Sequence, residues 1–297
     1  MADDEMKRRG VVVGADGSAS ANAAIRWAAR DAAMRKLPLT VVHANSVSTV
    51  AAAMVAWPAG EIPQQVLEQE EADARAILAD AVALARGSLD DATGLTVIDE
   101  MFFGWPVPTL IDVSKEAQMV VVGCRGRTGL RRALLGSVSS GLIHHARCPV
   151  AIVHDEDAPS PRLPVLVGID GSRASEVATA IAFDEASRRG VDLVALHVWS
   201  DTDMPAFSMD WADVLAAARR TLAERLAGWQ ERYPDVEVTT LVEFEGPARQ
   251  LLKQSDHAQL VVVGSHGRGG FAGMLLGSVS TALAAAAHVP VIVARGK

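Results

Sequence analysis

The chain has 297 residues, a formal net charge of −8 and 49% hydrophobic residues, but only 4% aromatic residues. This length suggests about two domains, and an acidic chain without a long basic run is a poor candidate for a nucleic-acid binder. No apolar run reaches the roughly 18 residues of a membrane span, and the charged N-terminus has no apolar signal core. The two cysteines do not indicate a disulfide framework. We therefore expect a soluble, cytoplasmic protein without membrane or nucleic-acid partners.

Strands and helices are predicted to alternate along the whole chain. The strands are short apolar runs, typical of strands that are buried on both faces of a parallel sheet. They are expected near 10–15, 38–44, 95–102, 118–123, 149–153, 164–169, 191–198, 236–243, 259–263 and 290–294. Helices are expected between them, at 20–36, 64–87, 106–117, 174–189, 209–231 and 247–257. This alternation predicts a doubly wound α/β sheet with helices on both faces.

The second half of the chain repeats the first. Residues 11–44 resemble residues 165–198, and Asp16 corresponds to Asp170 at an offset of 154. From Pro106 onward the offset is 141, so the first half holds 13 additional residues, the difference between 154 and 141.

The additional residues are expected mostly within segment 45–63, which is rich in Ala, Ser and Pro and predicts a surface loop or a short added helix. A second polar, Pro-rich stretch indicates a linker between the repeats. We expect a first domain at 1–154, a linker at 155–163 and a second domain at 164–297.

A glycine motif, G-x2-G-x9-G-S, follows the predicted fourth strand of each half. Glycines let backbone N–H groups approach a ligand, and successive N–H groups form an anion-binding nest. The motif ends where the last helix of each half is expected, and a helix start favours anions. Serine hydroxyls there can add donors, so we expect a polyphosphate to bind; the alternative is that these are ordinary loop and cap glycines. The residues concerned are Gly123, Gly126, Gly136, Ser137 and Ser139, then Gly264, Gly267, Gly277, Ser278 and Ser280.

A second motif ends the first strand of each half, as VGADGS and VGIDGS. Asp16 and Asp170 are expected at the carboxyl edge of the sheet, where ligands of open α/β sheets bind. Each carboxylate can accept hydrogen bonds from an adenine amino group or a ribose hydroxyl, or it can be a turn aspartate that helps to cap the next helix. His43 and His197 end the second strands, and they either approach the base or pack with a hydrogen bond to backbone.

The two glycine loops differ in their side chains. Arginine suits phosphate groups, although these arginines can equally be solvated. A thiolate at Cys124 would be favoured inside an anion nest if the side chain is exposed. The first loop contains Cys124, Arg125, Arg127, Arg131 and Arg132, and the second contains Ser265, His266 and Arg268.

Several catalytic patterns are absent from the sequence. There is no G-x-x-x-x-G-K-[ST] motif, and the first strand-to-helix turn reads D-G-S instead of G-x-G-x-x-G. The sequence therefore does not indicate a P-loop NTPase or a dinucleotide-binding fold. No catalytic triad, carboxylate pair or metal-ligand spacing is readable.

The two motifs, present in the same order in both halves, resemble the universal stress protein family. The resemblance implies two tandem Rossmann-like domains of the adenine nucleotide alpha hydrolase type, each with a five-stranded parallel sheet of order 3-2-1-4-5. It also implies one ATP site per domain, with Mg²⁺ as a candidate companion ion. The base and ribose would contact Gly14, Asp16 and Ala44, or Gly168, Asp170 and Val198. The phosphates would lie on the glycine motifs and on the residues that follow them, Val138 and Val279. The last strands, CPVAIV and VPVIVA, would pair inside one chain as a pseudo-dimer, and a homodimer of two chains stays open.

The function implied by this resemblance is that of an ATP-binding stress regulator, not an enzyme, acting through unidentified protein partners. One alternative is a slow ATPase or phosphotransferase, which needs a metal and a positioned water or acceptor. The other is a protein-interaction module that binds no nucleotide.

Overall fold

The computed structural model describes eight segments of the chain: residues 9–45, 64–89, 94–126, 135–154, 159–199, 211–244, 246–267 and 277–295. The chain divides into two compact units, Met1–Cys148 and Pro149–Lys297. Most of the predicted insertion, at 46–63, and part of the predicted linker, at 155–158, lie outside the described residues.

The first unit alternates strands and helices as the sequence predicts. Its strands are parallel, in the order β3-β2-β1-β4. The elements are β1 (Val11–Gly14), α1 (Ala19–Arg35), β2 (Leu39–Asn45), α2 (Gln64–Gly87), β3 (Val97–Phe103), α3 (Pro106–Val113), β4 (Met119–Gly123) and α4 (Ser137–His145).

The second unit repeats this order and begins with one more strand. Its sheet order is β5-β10-β9-β6-β7-β8, in which only β5 is antiparallel to its neighbour. The elements are β5 (Val150–Val153), β6 (Val165–Gly168), α5 (Arg173–Arg189), β7 (Leu193–Trp199), α6 (Trp211–Arg232), β8 (Val238–Phe244), α7 (Pro247–Ser255), β9 (Leu260–Gly264), α8 (Ser278–Ala286) and β10 (Val291–Ala294). The five strands from β6 to β10 have the expected order 3-2-1-4-5.

The last strands of the two halves pair with each other inside one chain, as expected. Ile152 of β5 lies opposite Val291 of β10, and the two strands run antiparallel. Because of this pairing, β5 belongs to the second compact unit, and the units divide at 148/149. The boundaries expected from the sequence, with a linker at 155–163, stay a prediction.

Local signals explain where the helices begin and end. Ser18 and Ser172 cap α1 and α5, accepting hydrogen bonds from Ala21 N and Ser175 N at 3.2 Å. Helix α3 ends at Val113, whereas the sequence predicted a helix to residue 117. The Ser114 hydroxyl donates to Ile111 O at 2.6 Å and accepts from Arg147 N at 2.9 Å, so the serine is fixed at the helix end.

The core is aliphatic in both units. Val11, Val12 and Val13 of β1 are fully buried, as are Val165 and Val167 of β6. Such strands bury both faces beneath helices, which is the pattern expected of a parallel sheet. In the part of the chain that the structure describes, no helix has the length and hydropathy needed to cross a bilayer.

Candidate functional site

The aspartate that follows β1 meets the glycine loop that follows β4. A Cβ atom placed on Gly126 would lie 2.9 Å from Asp16 Oδ2, and one on Gly267 would lie 2.6 Å from Asp170 Oδ2. A side chain at the second glycine of each motif would therefore displace the carboxylate beside it. The two motifs come together at the carboxyl edge of the sheet in both units, which is where the sequence predicted a ligand cleft.

Each aspartate also shapes its own turn. Asp16 Oδ1 accepts a hydrogen bond from Ser18 N at 2.9 Å, and Asp170 Oδ1 accepts one from Ser172 N at 2.9 Å. The turn-aspartate interpretation is therefore correct for Oδ1. The other oxygen, Oδ2, faces the glycine loop, so one carboxylate can serve both roles.

The first glycine of the motif has a packing role. A Cβ on Gly123 would lie 2.6 Å from the carbonyl carbon of Ser20 and 2.8 Å from Ala21 N. In the second unit a Cβ on Gly264 would lie 2.8 Å from the carbonyl carbon of Ala174. These glycines let the strand end approach the first turn of α1 or α5. Gly14 and Gly168 also lie close to side chains. A Cβ placed on Gly14 would lie 3.3 Å from Val122 Cγ1, and one placed on Gly168 would lie 3.1 Å from Leu251 Cδ1.

The third glycine closes the loop and begins the next helix. Gly136 N donates to Cys124 O at 2.8 Å, and Gly277 N donates to Ser265 O at 2.8 Å. Gly136 and Gly277 are the N-cap residues of α4 and α8, and neither helix start has a side-chain cap.

The first-turn N–H groups that follow have no acceptor within their helices. In the first unit they belong to Ser137, Val138 and Ser139, because the N–H of Ser140 already donates to Gly136 O at 2.9 Å. In the second unit the corresponding donors belong to Ser278, Val279 and Ser280. Both helix starts can therefore present converging backbone donors to an anion.

Two of the predicted serine hydroxyls do not point to a ligand. Ser139 is buried and its Oγ donates to Gly123 O at 2.7 Å. Ser280 is also buried, and its Oγ donates to Gly277 O at 2.9 Å. Both hydroxyls donate to backbone carbonyls at the strand and loop ends, so a contribution of these two serines to ligand binding would come from their N–H groups. Ser137 and Ser278 are exposed, as a hydroxyl donor to a ligand requires.

Serine side chains that were not predicted from the sequence hold the glycine loop in place. Ser20 Oγ donates to Arg125 O, and Ser172 Oγ donates to His266 O at 3.2 Å. Ser18 Oγ also lies 3.5 Å from Arg125 O. The repeated D-G-S sequence was the available signal, because its serine occurs at the same place in both halves.

The two predicted histidines brace the aspartate turns. His43 Nδ1 donates to Ala15 O at 2.7 Å, and His197 Nδ1 donates to Ile169 O at 2.6 Å. Both side chains are buried, so the interpretation as packed histidines is correct. Ala44 and Val198, the adjacent residues expected to contact the base, are half-buried.

The remaining loop residues differ in exposure. Cys124 is 2% exposed, which removes the condition for a reactive thiolate. Its counterpart Ser265 is also buried and its Oγ lies 2.9 Å from His266 Nδ1. Arg125 and His266 are half-buried. Arg127, Arg131, Arg132 and Arg268 lie outside the described residues.

Trp199, at the end of β7, was not predicted. Its indole Nε1 is buried and has no hydrogen-bond partner within the described residues. The ring meets His197 edge-on at 6.0 Å between centroids. Its counterpart by the repeat is Asn45, so this edge of the cleft differs between the units.

The described residues do not contain a group of three or more His, Cys, Asp or Glu side chains arranged for a metal ion. The donors assembled at the cleft are instead backbone N–H groups, which bind anions and not cations. The donor chemistry therefore fits an anion such as a phosphate group.

The chain is similar to known proteins along nearly its whole length. The model of the universal stress protein family matches residues 7–154 and 162–295. Universal stress protein Rv2005c of Mycobacterium tuberculosis is 55% identical over 293 residues, which cover 97% of this chain and 98% of that protein. Universal stress protein Rv2623 of the same species is 53% identical over 290 residues, which cover 96% of each chain.

Solved structures show the same fold. The crystal structure of a universal stress protein from Archaeoglobus fulgidus matches with a TM-score of 0.73 and 22% identity, over 97% of this chain and 99% of that chain. With the family model matching twice along its length, the chain belongs to the universal stress protein family.

Proposed function

We propose that each unit binds ATP and that the protein is a nucleotide-dependent stress regulator. The observation that carries this proposal is the uncapped start of α4, which shares the carboxyl edge of the sheet with Asp16, and its repetition at α8 and Asp170. A site with anion donors at one end and a carboxylate at the other suits a molecule with phosphates and a polar base or sugar.

The phosphates would bind the N–H groups at the helix starts. In the first unit these belong to Ser137, Val138 and Ser139, with the exposed Ser137 hydroxyl as a further donor. Charge-assisted hydrogen bonds contribute about 1.5–3 kcal/mol each, so a few of them can hold a polyphosphate without a lysine. The helix partial charge adds to this attraction.

The base and ribose would lie toward Asp16 and Asp170. Oδ2 of each carboxylate would accept a hydrogen bond from a ribose hydroxyl or an adenine amino group. The backbone of Ala44 or Val198, at the end of the neighbouring strand, would contact the base. Mg²⁺, where it accompanies the nucleotide, would take its ligands mainly from phosphate oxygens and water.

A regulator fits these residues better than an ATPase. Hydrolysis requires a group that positions or deprotonates the attacking water. His43 and His197 use Nδ1 on backbone carbonyls, and the candidate carboxylates already hold their turns. ATP occupancy would instead bias a conformation that protein partners recognise, because a ligand shifts the equilibrium toward the state it binds more tightly.

Calorimetric titration with ATP tests the proposal. Gly136→Arg places a long side chain at the first helix start, and Gly277→Arg does the same in the second unit. We expect two sites in the wild type, one in each single variant and none in the double variant. Unchanged titration of both single variants would contradict the proposed sites.

Two further measurements separate the alternatives. Nucleotide released by heat denaturation of the purified protein, identified by mass spectrometry, would exclude a nucleotide-free interaction module. Phosphate release in Mg²⁺ and ATP that is absent from the double variant would favour the slow ATPase.

A further inference from the structure

The guanidinium group of Arg225 lies against the aspartate turn of the second unit. A Cβ atom on Gly171 would collide with Cζ and both terminal nitrogens of Arg225. Gly171 directly follows Asp170 in the sequence. The guanidinium group therefore lies against the residue next to the candidate ligand carboxylate. Arg225 belongs to α6 and is half-buried. Among the ion pairs of the described segments, none involves Arg225.

Among the described residues of the first unit, no cationic side chain lines the cleft beside the equivalent turn. Leu78 of α2 and Leu222 of α6 are both buried. If the two helices are aligned on these leucines, Ala81 takes the position of Arg225. The nearest neighbour of a Cβ on Gly17 is Ile77 Cγ1, at 3.7 Å. An open cleft of about 440 Å³ remains, whose lining includes Asp16, Asp73, Asp80 and Ala81.

The charged side chains beside the Asp16 turn therefore differ from those beside the equivalent Asp170 turn. The described lining of the first cleft contains three carboxylates and no cationic side chain, whereas the second unit places a guanidinium group there. A nearby positive charge attracts a polyphosphate and a nearby carboxylate repels it, with an effect that grows with the charge on the ligand.

We propose, on the basis of the nucleotide sites proposed above, that Arg225 is an affinity-determining residue of the second site and that the first site lacks its equivalent. The contribution is electrostatic. It strengthens the binding of ATP more than that of AMP, and salt weakens it because Arg225 is only half-buried.

The test uses proteins with one working site. Gly136→Arg leaves only the second site, and Arg225→Gln, Arg225→Lys or no further change is added to it. We expect Arg225→Gln to weaken ATP binding roughly threefold to tenfold and AMP binding less than about twofold. Arg225→Lys should retain most of the affinity, because it keeps the charge. Comparison within one site is independent of the differences between the two glycine loops.

The reciprocal test uses Gly277→Arg, which leaves only the first site. Asp73→Asn combined with Asp80→Asn removes two exposed carboxylates and should strengthen ATP binding roughly twofold to fivefold, again with little effect on AMP. Ala81→Arg should also strengthen ATP binding at the first site, because it adds a positive charge.

Two results would overturn the inference: an ATP affinity unaffected by Arg225→Gln, or an equal loss for ATP and AMP, which would mean that the arginine contacts the base or sugar. Absence of binding in both single-site proteins would instead reject the proposed function itself.

Discussion

The two carboxylate oxygens of Asp16 have different surroundings, and this separates its roles in folding and binding. Oδ1 accepts the Ser18 N–H, whereas Oδ2 faces Gly126. An asparagine keeps an oxygen for the turn but loses the charge, and an alanine loses both.

We expect Asp16→Ala to lower the free energy of unfolding by about 1 kcal/mol and Asp16→Asn by less than half of that. Both should weaken ATP binding in the first unit. Urea unfolding without nucleotide and calorimetric titration measure the two effects. Equal destabilisation by both substitutions would mean that the turn bond is not the source of the stability.

The glycines of the motif are predicted to differ in what they tolerate. A Cβ on Gly123 would press on the backbone of Ser20 and Ala21, which the helix holds in place. A Cβ on Gly126 would meet only the end of the Asp16 side chain. We expect Gly123→Ala to cost about 1–3 kcal/mol of stability, and Gly126→Ala to cost less while weakening nucleotide binding. Thermal unfolding and titration of the two variants check this order.

The spacing of the glycines could be predicted from the sequence, but their separate functions could not. The sequence shows that Gly123, Gly126 and Gly136 recur at fixed offsets. Only the structure shows that the first approaches a helix, the second a carboxylate, and the third closes the loop on Cys124 O. Likewise, Ser137 and Ser139 are indistinguishable in sequence until the helix start turns one outward and buries the other.

Helices α1 and α5 carry equivalent ion pairs four residues apart. Arg35 Nε lies 2.7 Å from Asp31 Oδ2, and Arg189 donates from NH2 to Glu185 Oε2 at 2.8 Å. The acid is nearly inaccessible in each case, at 1% and 0% exposure. Loss of the arginine leaves a buried carboxylate with less compensation, which is more costly than loss of an exposed pair.

We therefore expect Arg35→Met to lower the free energy of unfolding by about 3 kcal/mol. The exposed pair of Arg75 with Glu71 provides the control, since its side chains are 68% and 41% exposed. Arg75→Met should change stability by less than about 0.5 kcal/mol. Chemical denaturation at neutral pH compares the two variants, and equal losses would contradict the role of burial.

At the level of elements, the alternation of apolar runs and helical segments was sufficient to predict the strands and helices. The exceptions have local causes. Helix α3 stops short of residue 117 because Ser114 bonds the helix end and Arg147 N. The effect of Arg225 was not predictable, because no pattern in the sequence shows that a residue of α6 reaches the turn after β6.

At the scale of the whole molecule, duplication supplies the same cleft twice while its surroundings differ. Gly126 and Gly267 meet their aspartates in the same way, but the described surface beside the first turn carries Asp73 and Asp80, whereas Arg225 lies beside the second turn. The fold and the pairing of β5 with β10 could be expected from the repeat and the family resemblance. The difference in charge between the two clefts could not be predicted without the positions of the side chains.

This inequality leads to a prediction for the whole chain. A ligand that binds only the folded state stabilises it by about 2.7 kcal/mol at a concentration 100-fold above Kd. We expect ATP to slow amide hydrogen exchange at residues 124–126 and 137–140 in the first unit, and at 265–267 and 278–281 in the second. When ATP is limiting, comparison of the slowing of exchange in the first unit with that in the second shows which site fills first.

Gly136→Arg should remove the protection in the first unit and retain it in the second, with Gly277→Arg giving the reverse. Because the wild-type loops also differ, the decisive comparison is between the wild type and Arg225→Gln. In that variant, protection of residues 265–267 should require a higher ATP concentration than in the wild type. Protection of residues 124–126 should require the same ATP concentration in both proteins. A parallel shift at both sites would mean that Arg225 acts on the stability of the chain and not on its own cleft.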